Sequence, residues 1–244
     1  MIHVVEYPKS GGTWLTQLLS DYLGIYYPRN VVPKFKRSVI HGHYEYSKAF
    51  NKTICVIRDG RDIAVSYYHH MLIGNEKIPK RITEENRKKL GFKNPEDVKT
   101  NLPEFIRYLN EDYTKRFNRH RWSDFIESYA KEEDVLLVKY EDMLADTKSV
   151  LLKCLQFLGE TEIDNEKLEQ TIRKYSFRNQ TKREAGEENK KSFLRKGISG
   201  DWKNYFTPEA VKVFKQYSGE CLLELGYESS SDWEVQQNQT GIDG

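Results

Sequence analysis

Short β-branched runs alternate along the chain with stretches in which apolar residues recur every three or four positions. The first run, Ile2 to Glu6, stops at Tyr7-Pro8, and Lys9-Ser10-Gly11-Gly12 follows. Beyond Thr13, apolar residues fall at Trp14, Leu15, Leu18, Leu19, Tyr22 and Leu23, the spacing of a helix packed along one face, with Gly24 as its stop. The opening therefore predicts strand, glycine loop, helix. Ser38 to His43 predicts a second short strand. Thr53 to Ile57 has the apolar character of a parallel strand buried on both faces, and it runs through Arg58-Asp59-Gly60-Arg61 into a helix over about 62–71. Val135 to Lys139 predicts a further buried strand.

Helical rhythm also marks 124–129, 146–158 (closed by Gly159) and 167–175. Pro208 opens a last helix through Leu225, with Gly226 just past its end. Between Asn75 and Arg121 the chain is charged and interrupted by Pro79, Pro95 and Pro103; within it Leu102 to Tyr108 predicts another helix. Arg178 to Lys191 is polar without period and predicts a flexible loop. Past Tyr227 the Ser-, Gln- and Asn-rich composition predicts a disordered tail. Strands alternating with helices predict the α/β class: a single domain over 1–227, with a central parallel sheet flanked by helices, and a tail over 228–244.

Composition narrows the function classes. A chain of 244 residues suits one α/β domain, and 39 Lys plus Arg against 37 Asp plus Glu gives a net charge of only +2. A dedicated nucleic-acid binder would be clearly basic. Cys55, Cys154 and Cys221 are odd in number and far apart, so neither a disulfide framework nor a zinc-type CxxC spacing is present. That usage fits a reducing compartment and a cytoplasmic protein. No apolar stretch approaches the roughly 20 residues of a membrane span, and a first motif at Tyr7 leaves no room for a signal peptide.

The glycine loop carries the chemistry. A Gly-rich turn between a strand and a helix aims backbone N–H groups and the positive end of the helix dipole at one point, which suits a phosphate or sulfate. The common nucleotide form GxxxxGK[ST] is absent; here the lysine precedes the glycines, in Tyr7-Pro8-Lys9-Ser10-Gly11-Gly12-Thr13-Trp14-Leu15. This segment resembles the 5′-phosphosulfate loop of the sulfotransferases that use PAPS (3′-phosphoadenosine 5′-phosphosulfate), whose usual form is YPKSGTTW. Val56-Ile57-Arg58-Asp59-Gly60-Arg61-Asp62-Ile63-Ala64-Val65-Ser66 resembles that family's 3′-phosphate element. Phe193-Leu194-Arg195-Lys196-Gly197-Ile198-Ser199-Gly200-Asp201-Trp202-Lys203-Asn204 is similar to its RKGxxGDWKN element, and Lys139-Tyr140-Glu141-Asp142 is a weaker fourth match. The four occur in the family's order, and together the likeness runs from Tyr7 to about Gly226.

The resemblance implies a transferase that moves a sulfuryl group from PAPS to a hydroxyl or amine acceptor and releases PAP, from a P-loop-like strand–loop–helix site. Lys9 would neutralise the leaving group. The N–H groups of Ser10 to Trp14, Gly11 and Gly12 included, with the hydroxyls of Ser10 and Thr13, would hold the 5′-phosphate. Gly12 stands where the family usually has threonine, so a side-chain contact is lost while a backbone contact is expected to survive. Arg58 and Ser66 would take the 3′-phosphate, which Phe193, Leu194, Arg195, Lys196 and Gly197 would close over. Trp14, Tyr140 and Phe177 would border the adenine. As an isolated residue, Arg58 would equally suit a surface ion pair with Asp59 or Asp62.

His41-Gly42-His43-Tyr44 occupies the place of the family's KTH segment, which gives His43 the role of general base and puts His41 where the family has lysine. An imidazole suits that task near neutral pH. No metal is expected, because His69-His70 and His41/His43 lack carboxylate or thiolate company in the sequence. Two other readings stay open: a P-loop kinase, with Asp59 as a magnesium carboxylate, and a non-catalytic anion-binding module. The acceptor is expected to be a small molecule, glycan or lipid; nucleic acid and a membrane span are not. Glu76 to Arg121 holds 13 Lys/Arg and 8 Asp/Glu, which would steer an anionic or polar acceptor if the segment borders the acceptor mouth. The family's dimer motif KxxxTVxxxE begins at Lys203 and keeps Thr207, but Pro208 and Lys212 replace its valine and glutamate, so a monomer or weak dimer is expected.

Overall fold

Strand β1 (Ile2–Glu6) sits inside a parallel sheet, paired on one side with β2 (Val39–Gly42) and on the other with β3 (Thr53–Ile57), which pairs outward with β4 (Val135–Lys139). The structure is a computed structural model and describes residues 1–28, 37–50 and 52–235. In chain order its helices are α1 (Gly12–Leu23), α2 (Gly60–Tyr68), α3 (Lys80–Leu90), α4 (Val98–Glu111), α5 (Trp122–Ala130), α6 (Tyr140–Ala145), α7 (Thr147–Leu158), α8 (Asn165–Lys174), α9 (Phe177–Thr181) and α10 (Pro208–Glu224). A π turn at His69–Ile73 extends α2, and a 3₁₀ turn covers Asp201–Asn204.

The period-two alternation of the strands sorts the core into two layers. Ile2, Val4, Ile54 and Val56 face a cluster with Leu15, Leu18 and Leu19 of α1, Leu151 and Leu155 of α7 and Leu168 of α8. Val5, Cys55 and Ile57 face the other way, onto residues of α2, α4, α5 and α10, Phe105 and Phe125 among them. The three cysteines are buried and unpaired. Among the described residues no helix is long and apolar enough to cross a membrane.

Several elements depart from the expectation, each for a local reason. β4 is half-buried, because it forms the outer strand of the sheet beside β3. α4 starts at Val98, not Leu102: the Asp97 side chain accepts from the Thr100 N–H (3.3 Å) and caps it, and Pro103 is accommodated inside the helix. The polar run after Arg178 is not loose. Arg183 donates to the carbonyls of Leu194 and Arg195, and the N–H groups of Gly186 and Asn189 donate to Lys196 and Arg195 carbonyls (both 2.9 Å), so the run is laced to the 194–196 strip. Thr207, kept from the dimer motif, has a purely local bond, its hydroxyl accepting from the Ala210 N–H (3.2 Å) as the cap of α10.

The segment beyond Tyr227 also differs from the tail its composition suggests, at least through Val235; residues 236–244 lie outside the described residues. Arg61 is buried and pairs with both Asp59 and Glu228. Its guanidinium lies 3.8 Å from the Trp202 ring centre and 4.5 Å from that of Trp233, a buried residue that meets Trp202 edge-on at 5.8 Å. A buried cation needs its counter-charges, and Glu228 supplies one of them. Trp233→Ala should therefore lower unfolding stability in urea by about 3 kcal/mol, the low end for a buried tryptophan truncated near the surface. An unchanged midpoint would mean that 228–235 merely rests on the domain.

Candidate active site

Because every strand runs the same way, the four carboxyl ends open at one edge of the sheet, where ligands of open α/β sheets bind. Lys9 follows β1, His43 follows β2, Arg58 follows β3 and Tyr140 follows β4, and all four line a cavity of ≈ 450 Å³. Ser66, Thr13, Trp14, Phe177, Phe193, Leu194, Arg195, Lys196 and Gly197 line it too. Ser10 and Gly12 do not: both lie buried under the loop.

The loop is built on tight backbone. Lys9 has φ 80° and Gly11 φ 99°. The left-handed conformation costs a non-glycine residue on the order of 1–3 kcal/mol, and at Lys9 the Arg58 Nη1 donates to the carbonyl (3.2 Å) and helps hold it. A Cβ on Gly11 would stand 2.5 Å from Tyr140 Cδ2, so only glycine fits beneath that ring. Of the loop's N–H groups, Ser10's donates to the Tyr7 carbonyl (3.1 Å) and Trp14's to that of Gly11 (3.0 Å). Gly12's donates to Glu6 Oε2 at 2.6 Å. The backbone contact expected of Gly12 toward a phosphate is therefore directed at a protein carboxylate instead. Gly11 and Thr13 remain as N–H groups without a protein acceptor among the described residues. Trp14 Nε1 and Arg58 Nε, on two residues that line the cavity, are buried polar atoms with no partner among the described residues.

Glu6, which the sequence offers only as the end of a strand, proves to be the hub of one wall of the cavity. Oε1 accepts from His41 Nε2 at 2.9 Å, and the backbone carbonyl accepts from His43 Nδ1 at 2.9 Å. Burial pushes the Glu6 carboxyl up, but the His41 hydrogen bond, the His41 and His43 charges and the Gly12 N–H outweigh it and bring it to about 2. The carboxylate company that the sequence seemed to deny His41 and His43 is thus supplied in three dimensions by a residue 35 positions away from His41. A Cβ at position 12 would stand 2.8 Å from Glu6 Cδ and 3.0 Å from His41 Nε2, so Gly12, Glu6 and His41 form one unit.

His43 has a defined tautomer. A carbonyl only accepts, so Nδ1 carries the proton and Nε2 keeps a lone pair. Burial lowers the pKa of His43 from 6.5, opposed by Glu6 and assisted by Arg119. Burial likewise lowers Lys9 from 10.5 to about 8, Glu6 opposing and Arg58, Lys77 and Arg195 reinforcing it. Its ammonium lies 4.2 Å from the Phe193 ring centre.

Arg58 is neither a surface residue nor paired with Asp59. It is buried, contacts Asp62 (3.4 Å), donates to the Ile198 carbonyl (3.2 Å) and lies 4.4 Å from the Tyr140 ring centre. Asp62 also accepts from the N–H groups of Gly200 (2.7 Å) and Trp202 (2.9 Å), which fastens the 193–204 segment to α2. Asp59 is engaged by the backbone N–H, Nε and Nη2 of Arg61 and lines no part of the cavity, so it is not placed as a magnesium ligand for the kinase reading. Arg195 and Lys196 reach the cavity with Asp201 as their counter-ion, and Arg195 also pairs with Glu188. Gly197 (φ 67°) lies under Phe177, 2.5 Å from ring to an added Cβ.

The pattern of the family described as "Sulfotransferase domain" matches residues 40–226. Sulfotransferase 1B1 of Canis lupus familiaris is 26% identical over 91% of this chain and 84% of its own length. The amine sulfotransferase of Oryctolagus cuniculus is 27% identical (92% and 81%), and the 3-alpha-hydroxysteroid sulfotransferase of Cavia porcellus 29% (86% and 79%). Among solved structures, mouse sulfotransferase SULT7A1 complexed with PAP superposes with a TM-score of 0.65 at 23% identity, covering 93% of this chain and 88% of that one. Retinol dehydratase in complex with androsterone and inactive cofactor PAP gives 0.63 at 16% identity, over 91% and 80%.

The Glu6 carboxyl sets a test. A group held at about 2 in the fold against an ordinary 4.5 adds stability that is present above pH 4.5 and lost as the pH falls toward 2, about 3 kcal/mol in all. Urea unfolding from pH 6 downward should show the wild type losing stability through that window and Glu6→Gln losing distinctly less. Equal losses would mean that Glu6 is not held as the charged partner of His41.

Proposed function

Since the chain belongs to the sulfotransferase domain family, we propose that it transfers the sulfuryl group of PAPS to a hydroxyl or amine acceptor, with Lys9 and His43 on opposite sides of the moving group. The observation that carries this reading is the tautomer of His43: Nδ1 is committed to the Glu6 carbonyl, which leaves a basic Nε2 at the wall of the cavity that Lys9 and Arg58 share. Solved relatives of the same fold are described as complexes with PAP, and the unsatisfied Arg58 Nε at the cavity suits an anion.

In this reading the N–H groups of Gly11 and Thr13 and the Thr13 hydroxyl hold the 5′-phosphate, and Lys9 neutralises charge growing on the oxygen that leaves. Arg58 and Ser66, closed over by Phe193 to Gly197, hold the 3′-phosphate. Trp14, Tyr140 and Phe177 border the base. His43 Nε2 takes the acceptor's proton as its oxygen or nitrogen bonds to sulfur and the bond from sulfur to the 5′-phosphate oxygen breaks. Such a transfer relies on positioning and on charge placed where it develops. The domain of this reading extends past residue 227, since Glu228 and Trp233 pack into it.

His43→Ala should reduce turnover roughly 10²–10⁴-fold with PAP affinity little changed. The pH profile of kcat/KM for PAPS should rise through a midpoint below 6.5, since His43 must be neutral. It should fall through about 8, since Lys9 must be charged. The rising limb should vanish in His43→Ala. Arg58→Ala should weaken PAP far more than adenosine 5′-phosphosulfate. Near-normal turnover in His43→Ala, or equal weakening of both nucleotides in Arg58→Ala, would remove the respective role.

The acceptor reading is narrowed by two cations. Of the basic residues between Glu76 and Arg121, Lys77 and Arg119 line the cavity, Arg119 close enough to His43 to act on its titration. They favour an anionic acceptor among the small-molecule, glycan or lipid candidates. With Arg119→Ala the KM of anionic acceptors should rise severalfold while that of neutral ones holds. A uniform change across both sets would show that Arg119 does not select by charge.

A further inference from the structure

We propose that Glu6, His41 and His43 form an exchangeable binding site for a divalent transition metal ion of the zinc class, and that filling it withdraws the imidazole nitrogen that would otherwise serve as base. The second half rests on the His43 reading above; the binding itself does not.

The ligand atoms of these three residues lie within 4.8 Å of one another, the one such group of His, Cys, Asp or Glu among the described residues. A tetrahedral zinc ion with bonds of 2.0–2.2 Å would set its ligands roughly 3.3–3.5 Å apart. The His41 Nε2 to Glu6 Oε1 distance of 2.9 Å lies just inside that value, and the remaining separations close from no more than 4.8 Å. The residues offer two imidazole nitrogens and one carboxylate oxygen, which leaves a fourth position open to the cavity. That set favours zinc, cobalt or nickel over magnesium and calcium, which seek more oxygen ligands.

The supporting bonds are those a metal site requires. Zinc-binding histidines characteristically donate their other ring N–H to a carbonyl or similar acceptor. His43 does this, through Nδ1 to the Glu6 carbonyl, with Nε2 left to coordinate. The second carboxylate oxygen of Glu6 is fixed by the Gly12 N–H at 2.6 Å, which leaves Oε1 as the ligand. His41 Nδ1 faces the Tyr27 hydroxyl at 3.5 Å, with Nε2 turned toward Glu6. The proton between His41 Nε2 and Glu6 Oε1 occupies the position the ion would take. Binding moves that proton to His41 Nδ1, beside the Tyr27 hydroxyl, and exchanges one N–H···O bond for N–metal and O–metal bonds. Glu6, His41 and His43 all line the cavity, so an ion has a path in. Lys9 and Arg119 act electrostatically on Glu6 and His43 respectively. Those positive neighbours oppose a dication, which makes the site exchangeable and not structural.

The test is a titration of the chelator-treated full-length protein with Co²⁺, followed by visible ligand-field absorption, and with Zn²⁺ by equilibrium dialysis. One equivalent should bind, with an absorption spectrum of a four- or five-coordinate ion. Glu6→Gln and His41→Ala should each weaken binding at least tenfold, while His69→Ala should leave it intact. The melting-temperature rise given by PAP reports that each variant is folded; if Glu6→Gln fails there, His41→Ala carries the comparison. No saturable binding, or unchanged binding in the folded variants, would overturn the site. Turnover of the wild type should fall as the site fills, with PAP binding retained. If the ion binds as described and turnover persists, the site stands and the role of His43 as base falls.

Discussion

Parallel strands impose a polarity that the rest of the molecule follows. With β1, β2, β3 and β4 all pointing one way, whatever the chain carries just after each strand must emerge at the same edge of the sheet. Residues as far apart as Lys9 and Tyr140 therefore share one cavity without any long-range pairing between them. The strands are only four or five residues long, and their alternating apolar faces are fixed by helices on both sides. A slip of one position in any strand would turn a core residue outward and bury its neighbour. Hydrophobic sorting thus sets the depth at which each functional side chain appears.

The same edge gathers positive charge: Lys9, Arg58, Arg195 and Lys196 all face the cavity. Held together in poor solvent contact they repel, and the fold answers with buried carboxylates. Asp62 serves Arg58 while anchoring two backbone N–H groups of the 193–204 segment, and Asp201 takes both Arg195 and Lys196. Burial raises the Asp62 carboxyl and Arg58 lowers it, with the net shift upward from 3.8. At neutral pH its charged form is therefore a cost to the fold, tolerated because it positions a cation. Stability and the placing of cations at the cavity draw on the same pairs.

Most of the frame was legible in the sequence, because strands and helices here announce themselves by period and by glycine and proline stops. The tight turn after β1 was legible as well, since Gly11 leaves a signature that no other residue can replace under Tyr140. The dissections that failed share a cause. Glu6 is a single charged letter at the end of an apolar run, and nothing local tells that its carboxylate will meet His41 and the Gly12 N–H. Arg183 and Trp233 likewise sit in polar, low-complexity surroundings, yet each is fixed by partners more than ten residues away. Pro103 misled in the opposite direction, by suggesting a break that the Asp97 cap and the packing of α4 override.

Gly12 connects the two positions, 12 and 41, at which the sequence resemblance implied a departure from the family's pattern. A side chain there would collide with Glu6 and His41, so a threonine at that position and this carboxylate–imidazole couple exclude each other. The three positions are thus coupled through one shared volume. Across a wider set of sequences, the identities at 6, 12 and 41 should then covary as a single inherited character, marking a branch of the family by its active-site wall and not by its surface.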